Sequence, residues 1–210
     1  MAEVSLQFEQ ALLSLDRLAA KRIATEACGQ MTPVELVEEV IVPSLTRIGA
    51  SWERGNAALS QVYMSGRICE ELVDGLLPPG DPGRRDQPSM AIAALDDYHL
   101  LGKRIVYSVL RAAGFDLRDY GRVTVAEVID RVRADRIEIL LLSTLMLNSA
   151  LHVREVVAGL KASGLEVKVV VGGAPFRFDA GLWREVNADA MSHTAAEAPG
   201  IVRNIMGGRS

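Results

Sequence analysis

Apolar and polar positions divide the chain into two parts with different periodicities. In the first part apolar residues recur every three or four positions, which is typical of amphipathic helices packed on one another. The residues that follow this spacing are Phe8, Leu12, Leu15 and Ala19, then Val37, Val40, Ile41, Leu45 and Ile48, then Leu59, Val62, Tyr63, Leu72 and Val73. The pattern predicts a helical bundle over residues 1–76.

Local signals mark where individual helices begin and end. Thr32-Pro33-Val34-Glu35 combines an N-cap threonine, a proline at the first helical position and a glutamate three residues after the cap, so a helix is predicted to begin there. Residues 124–127, Thr-Val-Ala-Glu, repeat the capping box. Gly114 and Gly164 stand where helix C-termini favour a residue that tolerates positive φ.

A proline- and glycine-rich segment separates the two parts. Residues 77–88 read LPPGDPGRRDQP and can continue neither a helix nor a central strand. The predicted organisation is therefore a helical domain over 1–76, a linker over 77–88 and a second domain over 89–210.

Beyond the linker, short apolar runs alternate with amphipathic stretches. The predicted strands are Met90–Leu95, Phe115–Tyr120, Ile137–Leu142, Val167–Val171 and Ala188–Ser192, and a helical stretch follows each of them. Parallel neighbours need long right-handed crossovers, so this alternation predicts an α/β fold with a doubly wound, flavodoxin-like, five-stranded parallel sheet. Ligands in such folds bind at the carboxyl ends of the strands.

Composition narrows the functional classes. Apolar residues make up 49% of the chain and charged residues 24%, which suits a packed globular protein. A net charge of -4 gives no basic field for nucleic acid. The start lacks a signal-peptide pattern and no apolar run is long enough for a membrane span, so a cytoplasmic protein is expected. Cys28 and Cys69 are too far apart for a CxxC pair, and we expect two buried thiols.

Three short motifs follow three of the predicted strands and carry the candidate chemistry. The first strand runs into Asp-x-His-x-x-Gly, the third into Ser-x-Leu and the fourth into Gly-Gly. The residues of these motifs are Asp97, His99 and Gly102, then Ser143, Leu145 and the nearby Ser149, then Gly172 and Gly173. Since all three loops leave the same edge of a parallel sheet, they are predicted to converge on one groove.

In their order and spacing, the motifs resemble those of the cobalamin-binding domains of methionine synthase, corrinoid methyl-carrier proteins and adenosylcobalamin mutases. The resemblance extends from about Met90 to the C-terminus. It implies that the chain binds cobalamin, that the cofactor's benzimidazole leaves the cobalt, and that His99 becomes the lower ligand of the metal. The displaced nucleotide tail is then expected in the groove between sheet and helices.

The residue types suit these roles. Imidazole is a suitable donor for cobalt, and a ligating histidine commonly donates its other ring N–H to a carboxylate, for which Asp97 is placed. The resemblance implies that Ser149 extends this pair into a proton relay. Leu147 stands where methionine synthase has a hydroxyl residue, so one hydrogen bond to the tail is expected to be absent.

The glycines and the remaining histidines complete the candidate set. Gly102, Gly172 and Gly173 are interpreted as positions where the tail passes close to the backbone, with the Ser143 hydroxyl in the same channel. The alternative for the glycine pair is an ordinary tight turn. The other two histidines, His152 and His193, are interpreted as surface residues; the alternative is a part in the site for His152 and contact with the tail for His193.

The helical part resembles the cap that covers the upper corrin face in methionine synthase and corrinoid carriers. The matching stretch runs from Gly49 to Arg67, and Trp52 and Leu59 fall where that cap presents an aromatic ring and a leucine to the methyl group. The alternative is that both are ordinary bundle core. Ala57 and Ala58 are smaller than expected there, which predicts a more open upper face. Mutases lack this module directly before the corrinoid domain, so its presence favours methyl transfer over radical rearrangement.

Three functional hypotheses remain at this point. The first is a corrinoid carrier, one subunit of a methyltransferase system, that works with a substrate-specific methyltransferase, a pterin-linked (tetrahydrofolate) methyltransferase and a reductive activator. The second is a cobalamin-dependent sensor or photoreceptor, against which stand the absence of a Glu-His pair in residues 59–62 and of a DNA-binding domain ahead of Val4. The third is a domain that has exchanged cobalamin for haem or lost its ligand, which the intact motif set opposes.

Overall fold

The computed structural model describes residues 2–76 and 87–207, without the side chains of Ala2, Val34 and Glu38. Most of the predicted linker, residues 77–86, lies outside the described residues. The chain divides into two compact units: Met1–Gln87 with Ser108–Asp116, and Pro88–Tyr107 with Leu117–Ser210. Each unit is considered by itself below.

The first unit is a bundle of helices, as the periodicity predicts. Its helices are α1 (Ala2–Leu13), α2 (Arg17–Ala27), α3 (Pro33–Leu36), a π-helical turn (Val37–Ile41), α4 (Val42–Glu53) and α5 (Leu59–Leu76). α1 packs against α2, α4 and α5. The fully buried side chains include Phe8, Leu12, Leu36, Ile41, Ile48 and Val73. The predicted capping box is present, since the Glu35 amide donates to Thr32 Oγ1 and the Thr32 amide donates to Glu35 Oε2.

A π-helical turn lies immediately before a proline in this bundle. Pro43 has no N–H, and its ring crowds the carbonyl four residues earlier, so a regular α-helix cannot pass through this position without adjustment. The chain widens instead, with the Val42 amide donating to the carbonyl of Val37, five residues back. The helical backbone thereby continues without a break from α3 into α4.

The final turns of helix α6 (Leu101–Ala112) count with the first unit and make polar contacts with α5. Ser108 Oγ donates to Glu70 Oε2 at 2.9 Å, and the buried Arg111 guanidinium pairs with Asp74 and with Asp116. These contacts give the buried Glu70 and Arg111 partners of the charge or polarity they require.

The second unit is the predicted α/β domain. Its strands are β1 (Met90–Leu95), β2 (Arg118–Val123), β3 (Ile139–Ser143), β4 (Lys168–Gly172) and β5 (Ala190–Ser192). Its helices are α6 (Leu101–Ala112, whose last turns count with the first unit), α7 (Val125–Asp135), α8 (Leu147–Ala162), α9 (Ala174–Phe178), α10 (Leu182–Glu185) and α11 (Ala198–Gly207), with a 3₁₀ turn at Ala195–Glu197.

The five strands form one parallel sheet in the order β2-β1-β3-β4-β5. This is the flavodoxin-like, doubly wound order that the sequence predicts, and its direction reverses between β1 and β3. Both faces of the central strands are buried, as the uninterrupted apolar runs require. One face packs against α7 and α8 through Leu95, Leu140 and Val171, among others.

The second strand differs from its predicted bounds. The sequence places it at Phe115–Tyr120, whereas β2 runs from Arg118 to Val123, so that prediction was wrong by three residues. β2 contains Gly121 at φ +68° and the pairing with β1 shifts register there. This bulge puts Tyr120 and Val123 on the same buried face, which breaks the alternation on which sequence patterns rely.

Candidate functional site

The ends of β1 and β3 bring the first two motifs together at the point where the winding of the sheet reverses. Ala94 of β1 lies opposite Ser143 of β3, and Ser143 lies opposite Gly172 of β4. The loops that follow these three strands therefore leave the same carboxyl edge side by side, as predicted. In folds of this order, that crevice is where ligands bind.

Asp97 is a buried carboxylate whose two oxygens are saturated by N–H donors. Oδ1 accepts from the His99 amide at 3.0 Å and contacts His99 Nδ1 at 2.7 Å. Oδ2 accepts from the amides of Leu145 and Met146, at 2.6 and 3.1 Å, in the loop that leads into α8. Burial alone would raise the pKa of Asp97, but these hydrogen bonds outweigh it and hold the pKa at about 2. The carboxylate is therefore ionised at neutral pH.

This ionised partner orients the His99 ring. A carboxylate only accepts hydrogen bonds, so Nδ1 is the donor in this contact and Nε2 is the ring nitrogen left for another partner. The His99 side chain is 60% exposed, in contrast to the 1% of Asp97. The structure thus presents one oriented donor nitrogen at the edge of the sheet. A single nitrogen ligand suits a metal that arrives with its other ligands in place, as in a macrocyclic cofactor.

The turn before this pair is held by two residues of α8. Asp96 has φ +44°, a left-handed conformation unusual for a residue other than glycine. Ser149 Oγ donates to the Asp96 carbonyl at 3.0 Å, and His152 Nδ1 lies 3.0 Å from Asp96 Oδ2.

Two sequence interpretations bear on this arrangement. Ser149 Oγ donates to the Asp96 backbone, and the Asp97 oxygens accept from amides and imidazole, so among the described residues Ser149 does not bond directly to Asp97. His152, for which a surface position and a part in the site were both considered, has a side chain that is 32% exposed and is paired with Asp96. The spacing Ser149-x-x-His152 on a predicted helix was the available signal, because positions i and i+3 share a helix face.

Tyr98, which precedes His99 in the chain, is an exposed aromatic residue. Its side chain is 77% exposed, and the Arg122 guanidinium lies over its ring, 3.8 Å from the centroid. The β2 bulge places Val123 in the core and leaves Arg122 on the exposed side, where it can reach the ring. The other large apolar side chains exposed in these loops and at the starts of α6 and α8 are Leu101, Leu145, Met146, Leu147 and Leu151.

The three motif glycines differ in how strictly the surrounding structure requires glycine. A β-carbon on Gly173, which has φ +119°, would lie 1.8 Å from the Thr144 carbonyl oxygen, so the fold itself requires glycine there. A β-carbon on Gly172 would lie 3.2 Å from the Ser192 carbonyl oxygen. On Gly102 it would meet only Ser143 Oγ, at 3.6 Å, an ordinary contact. The Gly-Gly pair thus has an internal packing role, and Gly102 alone leaves space beside the Ser143 hydroxyl.

A further polar group in this region lacks a partner among the described residues. Thr144 is 2% exposed, and its Oγ1 makes no hydrogen bond within residues 2–76 and 87–207. A buried hydroxyl without a partner is costly, and a ligand that supplied one would recover that cost.

The two candidate residues of the helical unit lie at one end of the bundle. Trp52 is in the last turn of α4 and half-buried, and Leu59 begins α5 with 38% of its surface exposed. Gln61 connects the start of α5 to the end of α1, because its Oε1 accepts from the Ala58 amide and its Nε2 donates to the Leu13 carbonyl. Ala57 is buried within the connection and Ala58 is exposed.

Two observations concern the described residues as a set. None of their helices is both long and apolar enough to cross a bilayer. Among the same residues, no three His, Cys, Asp or Glu side chains come together as a metal cluster would require.

His193, the third histidine, is exposed, and its backbone amide donates to Glu197 Oε2.

Comparison with known proteins agrees with this geometry. Two sequence families, both described as a B12 binding domain, match residues 89–202 and residues 5–76. The dimethylamine corrinoid protein of Methanosarcina barkeri is 27% identical over 97% of this chain and 98% of its own length. Trimethylamine corrinoid protein 1 of Methanosarcina acetivorans is 26% identical over 97% of each chain. A crystal structure of a cobalamin-binding protein from Desulfitobacterium hafniense DCB-2 superposes with a TM-score of 0.76 at 26% identity, covering 95% of this chain and 97% of that one.

Proposed function

We propose, because the chain belongs to the B12 binding domain family, that it binds cobalamin and carries a methyl group on cobalt between two methyltransferases. The single observation that carries this proposal is the Asp97–His99 pair, which presents an oriented Nε2 donor at the switch point of the sheet. Bound cobalamin would supply the reactive cobalt, which accepts and releases the methyl group.

The residues at the carboxyl edge fit such a cofactor. His99 would take the lower position on the metal through Nε2, with the cofactor's benzimidazole displaced. Asp97, which its pKa of about 2 keeps ionised, accepts a hydrogen bond from His99 Nδ1 and leaves Nε2 as the ring nitrogen for the metal. The chain therefore holds the ligand in one orientation.

The displaced nucleotide tail would run past Gly102. The absent side chain leaves space next to Ser143 Oγ, and the unpartnered Thr144 hydroxyl lies on the following residue. Leu145, the last residue of the Ser-x-Leu motif, is exposed in the same loop and donates its amide to Asp97. Gly172 and Gly173 would contribute indirectly, because they allow the β4 loop to pack closely on β3 and β5.

The helical unit would shield the upper face of the cofactor. Trp52 and Leu59 lie at the two ends of the connection between α4 and α5, and an aromatic ring and a leucine are the kind of side chain that an apolar lid uses. Exclusion of water by such a lid protects a reduced metal from side reactions.

The partners follow from a carrier role. A substrate-specific methyltransferase would load the methyl group, a second, pterin-linked methyltransferase would remove it, and a reductive activator would restore the reduced cobalt. The similarity to a dimethylamine and a trimethylamine corrinoid protein is nearly equal, at 27% and 26% identity. A methylamine donor is therefore the first class to test, without preference among its members.

Spectroscopy of the reduced cofactor tests the ligand assignment. Protein labelled with ¹⁵N-histidine is loaded with unlabelled hydroxocobalamin and reduced to the cobalt(II) state. Histidine coordination gives doublet nitrogen splitting in the paramagnetic resonance spectrum, whereas retained benzimidazole gives a triplet. We expect the doublet in the wild type and its loss in His99→Ala.

The control is His193→Ala, which removes an exposed imidazole and should keep the doublet. A triplet in the wild type would disprove histidine ligation, and failure to retain cobalamin would disprove the function itself. The carrier role is then tested by adding methylamines with their methyltransferases and recording conversion of the reduced cobalt spectrum.

A further inference from the structure

Both acidic residues at the end of β1 are anchored to the same short stretch of chain. Asp97 Oδ2 accepts the amides of Leu145 and Met146, just before α8. Asp96 is bound by side chains from the first two turns of α8, through its carbonyl to Ser149 and through its carboxylate to His152. Residues 145–152 therefore hold the turn before His99 in two ways, through backbone amides that bind Asp97 and through side chains that bind Asp96.

The backbone of Asp96 explains why this turn needs holding. Its φ of +44° brings the β-carbon close to the backbone, a conformation that residues other than glycine disfavour. It is this turn that carries Asp97 into the buried site next to the Leu145 amide and leaves His99 exposed. If the contacts to Asp96 are lost, the chain can relax toward the ordinary region and withdraw Asp97 from its donors.

We infer that His152 and Ser149 are positioning residues that clamp the Asp96 turn and thereby orient the Asp97–His99 pair. His152 acts on the carboxylate and Ser149 on the carbonyl, 3.0 Å in each case. Neither touches His99 directly, so both act through the turn. The consequence for cobalt ligation rests on the proposed function, while the clamp itself is a property of this chain alone.

Ligand orientation is the quantity that the clamp should control. The carboxylate that holds a ligating histidine typically contributes 10- to 100-fold to metal affinity. A residue that holds the turn next to this carboxylate should contribute less. For His152→Ala we therefore expect the fraction of cobalamin that is coordinated by histidine to fall about 3- to 10-fold.

The first arm of the test uses the protein without cofactor. Amide hydrogen exchange is measured for His99, Leu145 and Met146, whose N–H groups all donate to Asp97. We expect faster exchange at all three in His152→Ala and in Ser149→Ala. His152→Asn, which keeps a donor near the Nδ1 position, should restore slow exchange. Glu155→Ala, an exposed substitution on the same helix, is the matched control.

The second arm uses cobalamin-loaded, ¹⁵N-histidine-labelled protein. In His152→Ala the doublet fraction of the cobalt(II) spectrum should fall and a benzimidazole triplet should grow, while Asn at this position restores the doublet. A purely structural role for His152 would lower the thermal midpoint and leave the doublet fraction unchanged, which would overturn the inference.

The two arms separate this inference from the proposed function. Unchanged amide exchange in His152→Ala overturns the clamp even if cobalamin binds through histidine. Failure of the wild type to hold cobalamin overturns the proposed function, and the exchange measurement still decides whether the clamp exists.

Discussion

At the scale of single residues, the site depends on one buried charge. Asp97 is held by three backbone amides and one imidazole, and no lysine or arginine takes part in these bonds. Its charge is thus stabilised by dipoles fixed in the backbone, which cannot move away as a lysine could. The same bonds lower its pKa and orient the His99 ring, so one carboxylate serves both the stability and the proposed ligand chemistry.

The depressed pKa of Asp97 predicts a specific dependence of stability on pH. Its pKa falls from the ordinary 3.8 to about 2 on folding, which corresponds to about 2 kcal/mol of stability. Because the folded pKa is the lower one, this contribution is complete above pH 4 and is lost as the pH falls toward 2. Asp97→Asn should therefore be less stable by about 2 kcal/mol at pH 7, with a smaller difference at pH 3.

Urea unfolding of the wild type and of Asp97→Asn at pH 7 and pH 3 measures this difference in unfolding free energy. Asp130→Asn, which changes a carboxylate with a 76% exposed side chain, should show no such pH-dependent difference. A difference for Asp97→Asn that stays constant with pH would show that the carboxylate's charge is not its source.

The motif glycines should respond to alanine in opposite ways. Gly173→Ala places a β-carbon against the Thr144 carbonyl at a φ of +119°, so we expect a loss of about 2 to 4 kcal/mol in unfolding free energy. Gly102→Ala lies in the first turn of α6 with room for a methyl group, so the apoprotein should gain up to about 0.5 kcal/mol. Cobalamin affinity should nevertheless fall in Gly102→Ala. Thermal unfolding and equilibrium dialysis separate the two effects, and equal behaviour of both variants would contradict the assignment.

The sequence predicted the Asp97–His99 pair better than it predicted Ser149 and His152, which hold the turn before this pair. Asp97 and His99 are two residues apart, so their contact follows from local geometry that a motif can encode. The partners of Asp96 are more than 50 residues away along the chain, and their contact exists only once β1 and α8 are packed. The requirement for glycine at position 173 also depends on tertiary structure. It arises because the Thr144 carbonyl, in the loop after β3, lies where a β-carbon of residue 173 would be.

At the scale of elements, helix boundaries followed the sequence more closely than strand boundaries did. The capping boxes at Thr32 and Thr124 form as predicted, and Gly114 and Gly164 have φ of +84° and +69°. These signals are local, so sequence contains them in full. β2 was misplaced because its bulge at Gly121 changes which residues face the core.

The capping box of α7 should contribute measurably to stability. Thr124 Oγ1 accepts from the Glu127 amide, and the Glu127 carboxylate accepts from the Thr124 amide, which lowers the pKa of Glu127. Thr124→Ala should therefore cost about 1 kcal/mol in unfolding free energy at pH 7. Because the folded pKa of Glu127 is depressed, the effect should shrink as the pH falls through that value. Thr194→Ala is the matched control, since Thr194 begins a 3₁₀ turn without a side-chain cap bond.

At the scale of the whole molecule, the division into units does not follow the order of the chain. Residues up to Tyr107 of α6 belong to the α/β unit, and Ser108–Asp116 belongs to the helical unit. Periodicity cannot reveal such a division, because both halves of the helix share one amphipathic pattern. Within the helical unit, Ser108 contacts Glu70 and Arg111 contacts Asp74.

This division predicts which amides open together in the native state. Asp74→Ala removes one of two carboxylates from the buried Arg111, at a cost of about 1 kcal/mol. Amides of α5 and of Ser108–Ala112 should then exchange about fivefold faster, while those of β3 and β4 keep their rates. Glu26→Ala, which breaks an exposed pair with Arg22, should change neither set. Uniform acceleration along the whole of α6, including residues 101–107, would mean that the helix opens as one element and belongs to a single unit.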